Sequence, residues 1–370
     1  MPTGATQADA RGVGPASPPA RRANVIGLGL IGGSVGLALR ARGWHVSGQD
    51  RVEATTERAL ALGAVDAAGL DPDAEITFVA TPVLAVAEAV KVALSETAGV
   101  VTDVGSVKAP VVAAVDDPRF LGGHPMAGSE LDGLDGADAT MFQSAVWVLT
   151  PTATTSDLVF STVAAVVASL GAEVVALAPE RHDALVAVVS HVPHLTAATL
   201  MTRASDRAEE HAALLRLAAG GFRDMTRIAS GPPAIWPDIC EENRSAIVAA
   251  LDQLLVGLAD MRARVDQGDR AGLLDALGRA REARANLPSR VARPDDLAEV
   301  RIPIPDKAGA AAEVFTLAAE LGVNIADFEV THSVEGDKGV MALLVDVAQG
   351  ELFRGGLLAR GYRPVVRRLV

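Results

Sequence analysis

At 370 residues with 49% hydrophobic content, the chain is long enough for about two or three domains, each with a core of its own. Only 3% of it is aromatic, so Ala, Val and Leu must fill most of that interior. A formal net charge of −13 argues against a nucleic-acid or anionic-membrane surface, and the single cysteine, Cys240, excludes an intrachain disulfide and fits a reducing, cytoplasmic compartment. Residues 1–22, rich in Pro, Gly, Ala and Arg without an apolar core, read as a disordered tail rather than a secretory signal. From Ala23 strands and helices alternate. Strands are expected at Asn24–Gly27, Trp44–Gln49, Ile76–Ala80 and Val100–Asp103. Helices are expected at Ser34–Arg42, Val52–Leu62 and Val83–Leu94. Such alternation means parallel strands with helices on both faces, an α/β Rossmann domain over residues 23–178, with 146–149 and 173–177 extending the sheet. The apolar stretch Leu158–Ala172 is too short for a membrane span and is broken by Gly171, so the protein reads as soluble.

From Pro179 to about Leu287 no convincing strand occurs. Pro179, Glu180 and Asp183 open a helix with proline in its first turn and acids near its positive end. The Ala/Leu-rich amphipathic segments that follow, notably Pro237–Gln267, predict an all-α domain over 179–290 that pairs two copies into a homodimer. Pro288 and Pro294 mark a linker. Beyond it, residues 297–370 alternate as βαββαβ: strands at Ala298–Pro303, Asn324–His332, Val340–Val347 and Arg363–Leu369, helices at Ala310–Leu321 and near Glu351–Arg360. That order is the ferredoxin-like arrangement.

The first strand runs into Gly27-Leu28-Gly29-Leu30-Ile31-Gly32, a G-x-G-x-x-G that opens a helix, and Asp50 ends the second strand. In that context the motif reads as a dinucleotide site. Gly27 permits the tight turn, Gly29 lets backbone approach the pyrophosphate, and Gly32 lets helix and strand pack closely. Asp50 suits the ribose hydroxyls and repels a 2′-phosphate, which favours NAD, while the adjacent Arg51 could face such a phosphate. Thr81 and Pro82, directly after the strand Ile76–Ala80, join the cofactor set.

Polar groups gather in five clusters: Asp103 to Lys108; Gly122 to Glu130 around His124; Val189 to His194; Gly220 to Arg227; and Ile235 to Asn243. His124 follows two glycines just beyond a strand, and its ordinary pKa near neutrality makes it a candidate base. Ser106 sits where the sheet gathers ligands. Arg227 offers the bidentate fork that binds carboxylates. His191 and His194 lie three apart, which also suits a metal, although no further ligands stand at sensible spacing.

In motif order and spacing over roughly residues 23–290, the sequence closely resembles the prephenate/arogenate dehydrogenase family of tyrosine biosynthesis, and the last domain looks like an ACT domain, an amino-acid-sensing module. The resemblance implies NAD-dependent oxidative decarboxylation with His124 as the catalytic base and Ser106 bonding the substrate hydroxyl or the nicotinamide. It implies Arg227 as the carboxylate clamp, paired with Asp183, and His194 contacting the substrate side chain. Glu130 and Trp236 would line or close the pocket, Trp236 being equally readable as core. It also implies an amino-acid effector, tyrosine, held by Asp306, Gly309 and Asn324. Two competitors remain in view. A β-hydroxyacid dehydrogenase would need a lysine in the helical domain, and none lies between Lys108 and Lys307. A non-enzymatic NAD/amino-acid sensor has no use for Ser106, His124 and Arg227 together.

Overall fold

The computed structural model describes residues 20–128, 131, 133–208, 215–286, 297–305, 307, 309–332 and 338–368. Glu130, Asp306, the inter-domain linker and nearly all of the N-terminal tail lie outside these. The chain divides into two compact units, up to Leu258 and from Ala259 onward.

In the first unit, β1 (Arg22–Ile26), β2 (His45–Gln49), β3 (Ala67–Ala68), β4 (Ile76–Val79), β5 (Val100–Asp103), β6 (Phe120–Pro125), β7 (Val146–Thr150) and β8 (Glu173–Ala176) form one sheet in the order β3-β2-β1-β4-β5-β6-β7-β8. Its first six positions are the 3-2-1-4-5-6 order of a dinucleotide-binding fold, with the reversal of strand order between β1 and β4. Every neighbouring pair is parallel except β6 and β7. The strands read as short apolar runs because both faces are covered. On one side α1 (Leu30–Arg40) and α5 (Asp157–Ser169) close over Val25, Phe78 and Trp147; on the other α3 (Val86–Glu96) and α4 (Ala109–Ala114) close over Ile26, Val79 and Val101. Between β2 and β3, α2 (Glu53–Leu62) ends on Gly63 in the left-handed conformation.

The short β3, α4 and strand β6 are not predicted by the sequence pattern, and β6 is the one that carries His124. Gly122 and Gly123 suppress its strand signal, yet packing demands them. A Cβ on Gly122 would run into the Thr150 hydroxyl. One on Gly123 would lie 2.7 Å from the Asp103 carbonyl oxygen. The glycine pair thus lets β6 slide between the ends of β5 and β7, and it puts His124 inside a strand rather than beyond one.

Helix α6 (Pro179–Val186) passes through one π-helical stretch, Ala187–His191, into α7 (Val192–Ala208). Pro193 lacks the N–H that a regular helix needs there, and the wider turn absorbs the mismatch without ending the helix. By length and apolarity the run Pro179–Arg207 could cross a membrane. Its polar side chains His182, Asp183 and His191 are instead buried against protein partners. After it come α8 (Gly220–Thr226), a 3-10 turn at Arg227–Ser230, α9 (Trp236–Glu242) and α10 (Arg244–Asp266). Val248, Leu255 and Val256 of α10 are exposed apolar residues.

The second unit contains α11 (Arg270–Ala285) and a βαββαβ element built from β9 (Leu297–Pro305), α12 (Ala310–Glu320), β10 (Ile325–His332), β11 (Lys338–Asp346), α13 (Val347–Ala359) and β12 (Val365–Arg368). Its sheet runs β10-β11-β9-β12, antiparallel throughout. Val300, Ile302, Met341 and Leu343 face Val314, Leu317, Phe353 and Leu357 of the two helices, all buried. Helix α13 starts four residues earlier than its apolar spacing suggests, because the Asp346 side chain caps it by accepting from the Ala348 N–H at 2.7 Å.

Candidate active site

The dinucleotide loop joins β1 to α1. Gly27 has φ +88°, and a Cβ on Gly32 would lie inside the van der Waals surface of the Gly27 carbonyl oxygen. Above Gly29, by contrast, nothing lies within 4 Å of where a Cβ would stand. The helix therefore seats hard on its loop while its N-terminal amides keep an open approach, the arrangement a pyrophosphate requires. Asp50 accepts from the Leu28 N–H and the Val52 N–H, each at 2.9 Å. It thus holds the loop itself, a role that the sequence pattern does not reveal. Arg51 is exposed. The Thr81 hydroxyl, at the end of β4, is buried and has no partner among the described residues, leaving a polar atom for a bound group to satisfy. These residues fit NAD.

His124 projects from β6 into a buried hydrogen-bonded network. Its Nδ1 lies 2.8 Å from His182 Nε2, and His182 Nδ1 lies 2.8 Å from Asp183 Oδ1. The Asp183 carboxylate also accepts the Lys108 N–H on Oδ1 and the Ala109 N–H on Oδ2, both at 2.8 Å. His182, fully buried, is the residue that sequence reasoning missed. Its signal was available: it stands beside Asp183 in the first half of a helix, a histidine and an acid together where the helix docks. The same geometry corrects the expected Asp183–Arg227 pairing. Both oxygens of Asp183 are engaged by α4 and His182, and Arg227 sits exposed on its own 3-10 turn.

Lys108, which sequence alone leaves open as a solvated side chain, is fully buried. Its ammonium group pairs with Asp103 and donates to the Gly123 carbonyl at 2.9 Å. Asp103 in turn accepts from the Gly105 N–H at 2.8 Å and the Gly123 N–H at 3.2 Å. Both backbone groups of the residue before His124 are thereby fixed by one ion pair. Burial depresses the Lys108 pKa, and the Asp103 charge opposes that shift. Burial also holds the His124 pKa well below 6.5, helped by the nearby His182, Lys108 and His191. His124 is therefore neutral at physiological pH, as a proton acceptor must be. Ser106, half-buried in the loop after β5, makes no side-chain hydrogen bond among the described residues.

The α7 end of the site is organised by Asn243. Its amide donates to the Asp183 carbonyl at 2.9 Å and to His191 Nδ1 at 3.2 Å. His191 is buried and uncharged, its pKa lowered by desolvation to about 4. His194 stacks on Trp236 with ring centroids 3.6 Å apart, and His191 meets the edge of the same indole at 6.1 Å. Trp236 thus holds the His194 ring flat. The turn carrying Arg227 packs on α7, α9 packs on the Val83–Ala85 turn beside Thr81, and α6 packs on α4 and β7. His124, Asp183, His191, His194 and Trp236 are brought together in this way around the strand ends.

A dinucleotide fold with an open pyrophosphate loop and an uncharged histidine on β6, braced by the helices that follow the sheet, defines an NAD-dependent dehydrogenase. Residues 35–176 match the prephenate dehydrogenase nucleotide-binding domain, and 178–279 its dimerization domain. Prephenate dehydrogenase of Bacillus subtilis (strain 168) is 32% identical over 86% of this chain and 90% of its own. Cyclohexadienyl dehydrogenase of Zymomonas mobilis is 33% identical over 71% and 94%. Among solved structures, Aquifex aeolicus prephenate dehydrogenase in complex with hydroxyphenyl propionate and NAD+ aligns with TM-score 0.68 at 27% identity, covering 74% of this chain and all of that one. Synechocystis arogenate dehydrogenase aligns with TM-score 0.62 at 30% identity over 71% and 98%. The chain belongs to the prephenate dehydrogenase family.

Proposed function

We propose that this enzyme converts prephenate to 4-hydroxyphenylpyruvate by NAD-dependent oxidative decarboxylation in tyrosine biosynthesis, acting as a homodimer in the cytoplasm. The observation that carries the reading is the neutral His124, buried on its Nδ1 side and anchored by Asp103, Lys108 and His182, on a sheet whose glycine loop fits NAD. Prephenate carries a ring hydroxyl and, on the opposite ring carbon, a carboxylate. The base takes the hydroxyl proton as hydride leaves to the nicotinamide, and the resulting dienone-like ring loses carbon dioxide and becomes aromatic. NAD supplies the hydride acceptor when bound. Ser106, with its hydroxyl uncommitted among the described residues, is assigned to the substrate hydroxyl or nicotinamide amide. Arg227 is assigned to a substrate carboxylate, and His194, held flat by Trp236, to the side chain. Glu130 completes the proposed pocket. The exposed apolar residues of α10 and the match to a dimerization domain support the homodimer.

Arogenate, with an ammonium in place of the side-chain keto group, is the second reading, favoured by the alignment with the Synechocystis enzyme. Following NADH formation with each substrate separates the two. In the same assay His124→Asn is expected to lower kcat by roughly two to four orders of magnitude while leaving substrate affinity near that of the wild type. More than a tenth of wild-type kcat in that variant removes His124 as the base.

The βαββαβ element is assigned as a ferredoxin-like, ACT-type regulatory domain with tyrosine as effector. Its support is the strand order and the two loops at Gly309 and Asn324. Gly309 caps α12 at φ +91°. Gln349 braces the other loop by accepting the Asn324 N–H at 3.3 Å and donating to the Gly322 carbonyl at 3.1 Å. Asp306 belongs to the same proposed effector site.

A further inference from the structure

We propose that His182 is a positioning residue that fixes the tautomer of His124, keeping the proton on Nδ1 so that Nε2 is the lone-pair nitrogen available to the substrate hydroxyl. The inference rests on the reading of His124 as the base, and it begins at Asp183. Both carboxylate oxygens already accept backbone amide protons from the start of α4. A carboxylate so placed is acceptor-only, so His182 Nδ1, 2.8 Å from Oδ1, must donate to it. A neutral imidazole carries one ring proton, which leaves a lone pair on His182 Nε2. That lone pair faces His124 Nδ1 at 2.8 Å, and two lone pairs cannot bond, so His124 Nδ1 carries a proton. Being neutral, His124 is then bare at Nε2.

The alternative is a protonated His182 that donates to His124 Nδ1. This would leave His124 with its proton on Nε2, where it could not act as base. It would also place an imidazolium, fully buried, in the same network as the buried Lys108 ammonium. Lys108 closes the network: its N–H binds Asp183, and its ammonium binds the carbonyl of Gly123, next to His124. The two histidines are thus held at both ends by one residue.

The consequence for the reaction is direct. As the hydroxyl O–H bond breaks, the proton is transferred to His124 Nε2, the ring gains one positive charge, and the electron pair of the departing hydride goes to oxidised NAD. The Nδ1–H bond to His182 becomes charge-assisted, with the Asp183 carboxylate behind it. His182 touches no reacting atom; it acts through His124.

The test is a nitrogen-15 imidazole spectrum of the full chain at neutral pH without substrate. The chain has seven histidines, and the His124 signals are identified by their loss in His124→Asn. The expected pattern is a protonated Nδ1 and an unprotonated Nε2. His182→Leu removes the acceptor; it is expected to release His124 to the tautomer mixture of free imidazole and to lower kcat by about 10- to 100-fold with KM for substrate and NAD little changed. His182→Gln, whose amide oxygen can accept from Nδ1, is expected to restore the tautomer and part of kcat. A wild-type His124 protonated on Nε2, or a His182→Leu enzyme with wild-type kcat, overturns the proposal. Should the leucine variant not fold, the wild-type spectrum alone decides. Failure of the substrate reading is recognised separately, as a wild type that does not turn over prephenate, and it leaves the spectrum unaffected.

Discussion

Asp50 bears on two things at once, because the carboxylate that suits a ribose also ties the glycine loop through Leu28. Asp50→Ala is expected to weaken NAD binding and to raise kcat/KM for NADP relative to NAD, since the phosphate no longer meets a fixed negative charge. A wild type that already uses NADP as well as NAD would shift the discrimination to Arg51. The buried histidines make a different prediction. His191 titrates at about 4 in the folded chain against 6.5 when free, and the His124 and His194 pKa values are also lowered. The unfolded state therefore binds protons first as pH falls. The stabilisation is complete above pH 6.5 and is lost progressively from there toward about 4. Asp66 and Asp117, with pKa values depressed below 3.8, contribute to acid sensitivity only at lower pH. Calorimetric Tm is thus expected to fall between pH 7 and 5, and a flat Tm over that range contradicts the buried neutral histidines.

At the scale of elements, α1 is seated on the loop that precedes it with no room for a methyl group. Gly32→Ala is expected to push helix and loop apart, costing roughly 1–3 kcal/mol of stability and abolishing measurable NAD binding by titration calorimetry. An unchanged Kd would mean that the loop does not cradle the dinucleotide. The apolar strands and amphipathic helices were legible in the sequence because burial on two faces, or one, imposes a period on the chain. The G-x-G-x-x-G loop was legible because its glycines are demanded locally. Strand β6 was not, since the reason for Gly122 and Gly123 lies in Asp103 and Thr150, residues distant along the chain. Asp183 was expected to pair with Arg227, but its partners, Lys108 and Ala109, lie more than seventy residues upstream. His182 adjoins Asp183 in the chain, but its other partner, His124 on β6, lies 58 residues upstream and shows only in the fold.

For the whole molecule, residues 296–370 hold a βαββαβ element with its own buried core, and every residue assigned to catalysis lies before them. Removing 296–370 is expected to leave prephenate turnover intact and to abolish the allosteric part of inhibition by tyrosine. Inhibition of the truncated and full-length enzymes with the same constant would mean that tyrosine competes at the active site and that the terminal domain serves another purpose.

The buried pair of Lys108 and Asp103 also sets an order of events for the nascent chain. Its partners come from the end of β5, the start of α4 and the middle of β6, and α6 must then arrive to receive the amides of Lys108 and Ala109. A sheet lacking α6 leaves those amides and the His124 Nδ1 without their partners. Until α6 docks, water rather than Asp183 and His182 must satisfy those groups. The competent base therefore matures only after the first helix beyond the sheet has been made and docked. Before residue 182 is made, the Lys108–Asp103 pair can already fix the backbone beside His124, but the partner proposed to set its tautomer is still missing, so the arrangement is finished by the closing of that contact rather than by the sheet itself.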